Sequence, residues 1–171
     1  RFTVLPHQKR ILDKIQVERE QNKNYKNLVV AATGTGKTVI SAFDYRRFSN
    51  KEISHKLLFV AHRKEILEQA KATYRSVLND ANFGELWVST HKPINGLENL
   101  FLSVDMFASR WEETFSRLPA DYYDYIVIDE AHHSTANSYR KLFNHFSPKI
   151  LLGLTATPER MDGTSLLPDF G

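Results

Sequence analysis

Residues 31–38 (AATGTGKT) constrain the fold of this 171-residue chain more than any other segment. They follow an apolar run of strand length and precede a helical pattern, so they predict a strand, a tight turn and a helix in that order. Such a turn directs successive backbone N–H groups toward one point, where the helix N-terminus adds its positive dipole. Gly34 and Gly36 let a ligand approach the backbone because neither carries a Cβ atom. The segment predicts a cradle for phosphate groups.

The same alternation of strands and helices continues along the chain. Strand-length apolar runs lie at residues 28–31, 57–61, 86–88, 101–104, 125–128 and 150–154, and we expect the first to be buried on both faces. Helical patterns are marked by Ile11, Leu12 and Ile15 after Pro6, by residues 37–48, by Ile66, Leu67 and Ala70, by Phe107, Trp111 and Phe115, and by Tyr139, Leu142 and Phe146 after a Ser134 N-cap. Residues 20–26 are predicted to form a loop. This order predicts an α/β fold with a mainly parallel sheet flanked by helices, whose ligands bind beyond the C-terminal strand ends.

The composition fits one domain and excludes several kinds of site. Hydrophobic residues make up 42% of the chain and charged residues 25%, which suits a single α/β domain with its own core. No apolar run is long enough to cross a bilayer, so we expect no membrane partner. The absence of cysteine excludes disulfides and zinc–thiolate sites and fits a cytoplasmic location. The net charge of +3 does not identify a partner. The two ends, at Arg1 and Gly171, suggest that residues 1–171 are a fragment of a longer protein.

The Gly-rich turn predicts a nucleotide site with ATP and Mg²⁺ as cofactors. Lys37 would reach the β- and γ-phosphates, and the Thr38 hydroxyl would bind Mg²⁺. The turn residues expected to surround the phosphates are Thr33, Gly34, Thr35 and Gly36. Ala31 stands where the strict motif has Gly, and a small residue still fits there. The alternative is a Gly/Thr-rich turn that carries a surface lysine.

Two carboxylates directly follow the predicted strand at residues 125–128. Asp129 would hold Mg²⁺, largely through water, and Glu130 would orient or deprotonate the attacking water. Neighbouring strand positions point to opposite faces, but a strand that turns into a loop can bring both groups to one nucleotide. An exposed acidic loop is the alternative interpretation.

Three motifs in this order, GTGKT, DEAH and LTATPER, resemble those of superfamily 2 helicases of the DEAH type, and most closely the group with type III restriction-enzyme motor subunits. The similarity runs from Leu5 to about Gly163. It implies a helicase ATP-binding domain: the first RecA-like lobe of a P-loop NTPase, without its second RecA-like lobe. That lobe, in the same full-length chain, would supply arginine fingers, so the isolated fragment is expected to hydrolyse ATP very slowly.

The resemblance also implies roles for residues outside the phosphate loop. Gln8 looks like the glutamine that reads the adenine edge, since its amide both donates and accepts hydrogen bonds. Asp105 departs from the family pattern, where glutamine is common, and a carboxylate there would repel phosphate. Residues expected to contact the DNA backbone are His62, Arg63 and Lys64; residues expected to couple the two sites are His132, Thr155 and Thr157.

The predicted function is therefore ATP hydrolysis coupled to movement on nucleic acid. The resemblance implies DNA rather than RNA, and no residue in the sequence visibly reads a 2′-hydroxyl. A restriction-enzyme motor subunit or a double-strand translocase that does not separate strands is the first alternative. A small-molecule phosphotransferase on the same phosphate loop is a second, and a non-catalytic binding module a third. Intact Lys37, Thr38, Asp129 and Glu130 argue against the third.

Overall fold

The computed structural model describes residues 2–31, 34–49, 53–130 and 135–156. Its strands are β1 (Lys26–Val30), β2 (Leu57–Ala61), β3 (Glu85–Trp87), β4 (Asn99–Ser103), β5 (Tyr125–Asp129) and β6 (Ile150–Thr155). Its helices are α1 (Pro6–Asn22), α2 (Gly34–Phe48), α3 (Lys64–Leu78), α4 (Val104–Ser109) and α5 (Ala136–His145), with a 3-10 turn at Phe115–Arg117. All strand pairs are parallel, in the order β1-β6-β5-β2-β4-β3. The predicted α/β fold is confirmed.

Successive strand residues point to opposite sides, so both faces of the sheet carry apolar side chains. Helices cover both faces. On one side α1, α2 and α3 pack on residues such as Phe59 and Val127. On the other side α4 and α5 pack on residues such as Val60 and Ile128. Every residue of β2, β5 and β6 is buried, as expected for strands inside a parallel sheet. No helix within the described ranges is long and apolar enough to span a bilayer.

The prediction that the first strand is buried on both faces is wrong. In the described part of the chain β1 pairs with β6 alone, so it forms an edge of the sheet. Asn27 and Val29 are buried, whereas Val30 is 47% exposed and Leu28 is only partly covered. An apolar run reports the average burial of a strand and carries no information about its number of neighbours.

Two helix boundaries also differ from the sequence prediction. Helix α1 runs on to Asn22 and ends where Lys23 adopts a left-handed conformation with φ of 55°, so the predicted loop at residues 20–26 shrinks to three residues. Polar residues continue the helix there because that stretch lies at the surface. At the other boundary, the N-cap position of α5 is Thr135, and Ser134 lies outside the described residues.

The predicted helix through Phe107, Trp111 and Phe115 is wrong over its second half. Helix α4 ends at Ser109, and Phe115 lies in the 3-10 turn. The rings of Trp111 and Phe115 nevertheless lie 5.4 and 5.3 Å from the Phe107 ring, measured between centroids. A series of turns therefore brings the three aromatic side chains together, and their spacing reflects shared burial rather than one continuous helix.

A buried ion pair joins α1 to α2. The Arg19 guanidinium donates to both carboxylate oxygens of Asp44 at 2.8 Å, and its Nε–H donates to Asn27 Oδ1 at 3.0 Å. The Tyr125 hydroxyl donates to the same carboxylate from the sheet below. Since the Arg19 and Asp44 side chains are only 11% and 4% exposed, both charges depend on this network for their solvation.

We expect Asp44→Ala to lower the free energy of unfolding by about 3–5 kcal/mol, because Arg19 would keep a buried charge without a carboxylate partner. Urea unfolding followed by circular dichroism measures the change. Asp13→Ala is the matched control, since Asp13 pairs with Arg47 at the surface and its loss should leave unfolding almost unchanged. Equal destabilisation by the two substitutions would contradict the interpretation.

Candidate nucleotide-binding site

Strands β1, β6 and β5 end side by side at the C-terminal edge of the sheet. Val30 is in register with Thr155, and Asp129 with Leu154. The Ala31 N–H donates to the Thr155 carbonyl at 3.0 Å, which extends this pairing into the turn before α2. Since α2 begins at Gly34, the first turn of this helix lies beside the ends of the three strands.

Lys37 meets both predicted carboxylates at this edge. Its Nζ lies 2.8 Å from Asp129 Oδ1 and 3.4 Å from Glu130 Oε2. Lys37 and Asp129 are only 4% and 2% exposed, so the ion pair is buried. Asp129 Oδ1 has no hydrogen-bond partner among the described residues, so its close approach to Nζ is an ion contact without hydrogen-bond geometry.

The backbone of Glu130 brings its side chain to the same side as Asp129. Its φ is +51°, a left-handed conformation that is uncommon for residues other than glycine. This turn at the strand end overrides the alternation that would otherwise send the two carboxylates to opposite faces. Glu130 Oε1 accepts hydrogen bonds from the Thr155 hydroxyl at 2.6 Å and from the Ala156 N–H at 3.2 Å.

The two carboxylates have different electrostatic environments. Burial raises the pKa of Asp129, as does the charge of Glu130, and the Lys37 ammonium only partly offsets this effect. Burial also raises the pKa of Glu130, but the Thr155 hydrogen bond, the Lys37 charge and the Ala156 amide together hold it below its ordinary value. Glu130 is thus stabilised as an anion by donors that Asp129 lacks.

The other described phosphate-loop residues lie at the start of α2. Gly36 and the buried Thr38 belong to the first turns of α2, next to Lys37. Gly34 and Thr35 begin the same helix. Three predicted site residues, Thr33, His132 and Thr157, lie outside the described residues.

Gln8 lies in the first turn of α1 and is almost completely buried. Its Oε1 accepts the Leu5 backbone N–H at 3.0 Å. This bond caps the helix and fixes the orientation of the amide. The acceptor needed to read an adenine edge is therefore shared with the backbone, and the adenine contact of Gln8 stays a prediction.

His62, Arg63 and Lys64 form an exposed basic segment at the C-terminal end of β2, where Arg63 is the N-cap residue of α3. It lies at the same edge of the sheet as Asp129, because β2 pairs with β5. Asp105 is also exposed, in the first turn of α4, where the helix dipole stabilises a carboxylate. The favourable interaction with the helix dipole explains a carboxylate at this position without any contact with a phosphate.

The side chains at this edge fit a magnesium–triphosphate. Mg²⁺ prefers oxygen ligands, and the Thr38 hydroxyl and the Asp129 carboxylate supply them. The buried Asp129 Oδ1 without a hydrogen bond has lone pairs for a metal-bound water. Sequence reasoning identified these residues but missed the Ala156 amide as a partner of Glu130, and no pattern in the sequence indicates that contact.

A phosphate-loop helix beside an acidic strand end, on a parallel sheet in this order, defines a RecA-like domain of a helicase-type motor. The chain belongs to the family described as type III restriction enzyme, res subunit, whose model matches residues 1–160. The motor class and the restriction-enzyme resemblance predicted from the sequence are confirmed, and the DEAH subtype stays a prediction.

Individual relatives agree with this assignment. The chain is 31% identical over 149 residues to a putative ATP-dependent helicase, IRC3, of Saccharomyces cerevisiae; the match covers 81% of this chain and 21% of that protein. It therefore spans about a fifth of the length of this relative. The UvsW helicase of bacteriophage T4 has a similar fold, with a TM-score of 0.69 at 14% identity over 100% of this chain and 59% of that one.

A restriction enzyme shares the fold as well. The structure of a nuclease-deletion mutant of the Type ISP restriction-modification enzyme LlaGI, in complex with a DNA substrate mimic, matches with a TM-score of 0.66 at 19% identity. The match covers 90% of this chain and 15% of that one.

Proposed function

We propose that this chain is the ATP-binding lobe of a motor that couples ATP hydrolysis to movement on DNA. One observation carries the proposal: the Lys37 ammonium and the carboxylates of Asp129 and Glu130 meet at the C-terminal edge of the sheet, beside the first turn of α2. Ligands of parallel α/β sheets bind at this edge, and these are the charges that phosphoryl transfer to water requires.

Bound Mg²⁺ would neutralise charge on the β- and γ-phosphates, with Thr38 and Asp129 as its protein-side oxygen donors. Lys37 would exchange its contacts with the two carboxylates for contacts with the phosphates. Glu130, then held by Thr155 and Ala156, orients a water toward the γ-phosphorus and accepts its proton as the bond to the β–γ bridging oxygen breaks.

The proposed partner is the DNA backbone, with RNA less favoured. Arg63 and Lys64 are exposed cations at the same edge as the nucleotide site, where they can contact phosphates without reading sequence. Among proteins of the same fold, LlaGI is seen with a DNA substrate mimic and Dbp5 with RNA, which supports a nucleic-acid partner. The choice of DNA rests on the match to a restriction-enzyme family. A second RecA-like lobe of the full-length chain would close over ATP and complete the site.

A restriction-enzyme motor or a translocase that leaves the duplex intact is the second candidate for the same site. The family match to type III restriction enzyme res subunits favours it. Both candidates use the same chemistry in this lobe and differ in what the whole protein does with the motion. Strand-displacement and triplex-displacement assays with the whole protein distinguish them.

ATPase activity of the whole protein, measured with DNA, with RNA and with neither, tests the proposed function. We expect DNA to stimulate it. Arg63→Ala with Lys64→Ala should reduce the slope of log DNA affinity against log salt by about one for each phosphate that the protein no longer neutralises. Lys26→Ala, at the opposite edge of the sheet, is the control cation. ATPase activity indifferent to both nucleic acids would contradict the proposal.

Thr155→Val tests the contact between Thr155 and Glu130. It removes the hydroxyl donor but keeps the shape of the side chain, so the pKa of Glu130 should rise. Because Glu130 acts in its ionised form, activity is lost as pH falls through that pKa, and the acid limb of the kcat–pH profile should move to higher pH. At neutral pH Glu130 stays ionised, so kcat should fall there only because the carboxylate is held less firmly, by about tenfold for a hydrogen bond worth about 1.4 kcal/mol. An unchanged profile would show that Thr155 does not act on Glu130.

A further inference from the structure

A cavity of about 480 Å³ lies at the N-terminal edge of the sheet, opposite the nucleotide site. The second halves of α1 and α2 form one side of it, and the residues before and at the start of β1 and β6 form the other, with Tyr25 and Ile150 on its wall. Its volume falls within the range of small-molecule sites, which is about 300–1,000 Å³. The proposed ATPase function makes no use of this cavity.

Buried polar groups in the cavity lining are held in place by hydrogen bonds to one another. Arg19 and Asp44 both line it, and their bidentate ion pair is fixed by Asn27 and Tyr125. Arg19 uses three of its five N–H donors in these contacts. The network fixes the guanidinium in the cavity lining, where Asp44 balances its charge.

The other residues of the cavity indicate what kind of ligand would fit it. The aromatic rings of Tyr25 and Phe48 and the Ile150 side chain provide apolar surface. Two further cations, Arg47 and Lys149, stand at the rim with side chains 38% and 66% exposed. Arg47 donates to Asp13 at 3.2 Å and to Gln16 at 3.3 Å, and Lys149 lies 3.8 Å from Asp124. Such surface contacts are weak, so an anionic ligand can replace them. Glu20 and the paired Asp44 are the acidic residues of the lining.

The cavity and the nucleotide site lie at opposite ends of α1 and α2. Gln8 lies in the first turn of α1, and Lys37 lies near the start of α2. The second halves of both helices line the cavity. Arg47 lies about 15 Å along α2 from Lys37 at 1.5 Å per residue. A ligand in the cavity would touch the far ends of the two helices that begin at the proposed ATP site.

We propose that this cavity is a second ligand site, which binds a small molecule with a flat aromatic body and one anionic group, such as a carboxylate, sulfonate or phosphate. The body lies against Tyr25 and Phe48, and the anionic group contacts the rim cations Arg47 and Lys149. The site is independent of the nucleotide site and of the proposed ATPase function.

Fluorescence titration of the full chain with anilinonaphthalene sulfonate, an aromatic monoanion, tests the proposal. We expect one saturable component that excess ATP with Mg²⁺ does not displace. Arg47→Gln with Lys149→Gln should weaken it by about tenfold, because charge-assisted hydrogen bonds are removed. Tyr25→Ser should also weaken it by removing one aromatic wall. Lys14→Gln, an exposed cation on α1 outside the cavity, is the matched control and should leave the affinity unchanged.

Three results would overturn the proposal: no saturable component, equal affinity in the double variant and the Lys14→Gln control, or displacement of the probe by ATP. Thermal unfolding of each variant confirms that the fold is kept, which the exposure of Arg47, Lys149 and Tyr25 favours. If the double variant unfolds, the Tyr25→Ser titration decides alone, and an affinity equal to that of the unsubstituted chain rejects the site.

Discussion

Lys37→Ala is expected to lose ATP binding and ATP hydrolysis together. The ammonium that should contact the phosphates is removed, and the carboxylates of Asp129 and Glu130 are left without the cation that both contact. Those two negative charges would then repel the triphosphate. We expect kcat/KM for ATP to fall by about a hundredfold to a thousandfold, as for the removal of a single group that stabilises transition-state charge.

Equilibrium titration with a fluorescent ATP analogue and steady-state ATPase assays of the whole protein measure the two effects. Lys14→Ala is a suitable comparison, because Lys14 is exposed on α1 outside the proposed nucleotide and DNA sites and should leave both measurements unchanged. If Lys37→Ala binds the analogue as tightly as the unsubstituted protein, the cradle is not at the start of α2.

Glu130→Gln is expected to separate binding from turnover. The glutamine amide oxygen can still accept the hydrogen bonds from Thr155 and Ala156, so the backbone and the cradle should keep their geometry. The amide cannot accept a proton from water, so kcat should fall by about a hundredfold to ten-thousandfold. Removing a negative charge near the phosphates should leave ATP affinity equal or slightly higher.

Single-turnover hydrolysis and analogue binding measured on the same preparation test this separation. Glu65→Gln, which removes an exposed carboxylate from the first turn of α3, controls for the removal of one negative charge. Hydrolysis by Glu130→Gln at the rate of this control would exclude Glu130 as the residue that activates water.

The sequence predicted the sheet well where burial is uniform and poorly at its margins. The apolar runs that became β2, β5 and β6 have no exposed residue, so pattern and structure coincide. The run that became β1 looked the same, yet its outer position depends on strand order, which local pattern does not encode. Likewise, the spacing of Phe107 and Phe115 correctly indicated that both are buried. It could not show that the helix ends between them.

The residues of the candidate site could be predicted from the sequence, but the hydrogen bonds between them could not. Lys37 and Asp129 each follow a recognisable strand, and parallel strand ends share one edge, so their proximity could be expected. The bond from Thr155 to Glu130 depends on the β5–β6 register and on the positive φ of Glu130. Both arise from the assembled sheet, and residues 25 positions apart gave no local signal of them.

The position of β6 between β1 and β5 has a consequence for how the molecule is made. Lys26 pairs with Leu151, so the strand that leads into the phosphate cradle has no described neighbour until residues far downstream have left the ribosome. Contacts between such distant parts of a chain form slowly, because a long loop must close first. The nascent protein should therefore acquire its cradle last, and a chain that stops before Ile150 should be recognised by chaperones as unfinished.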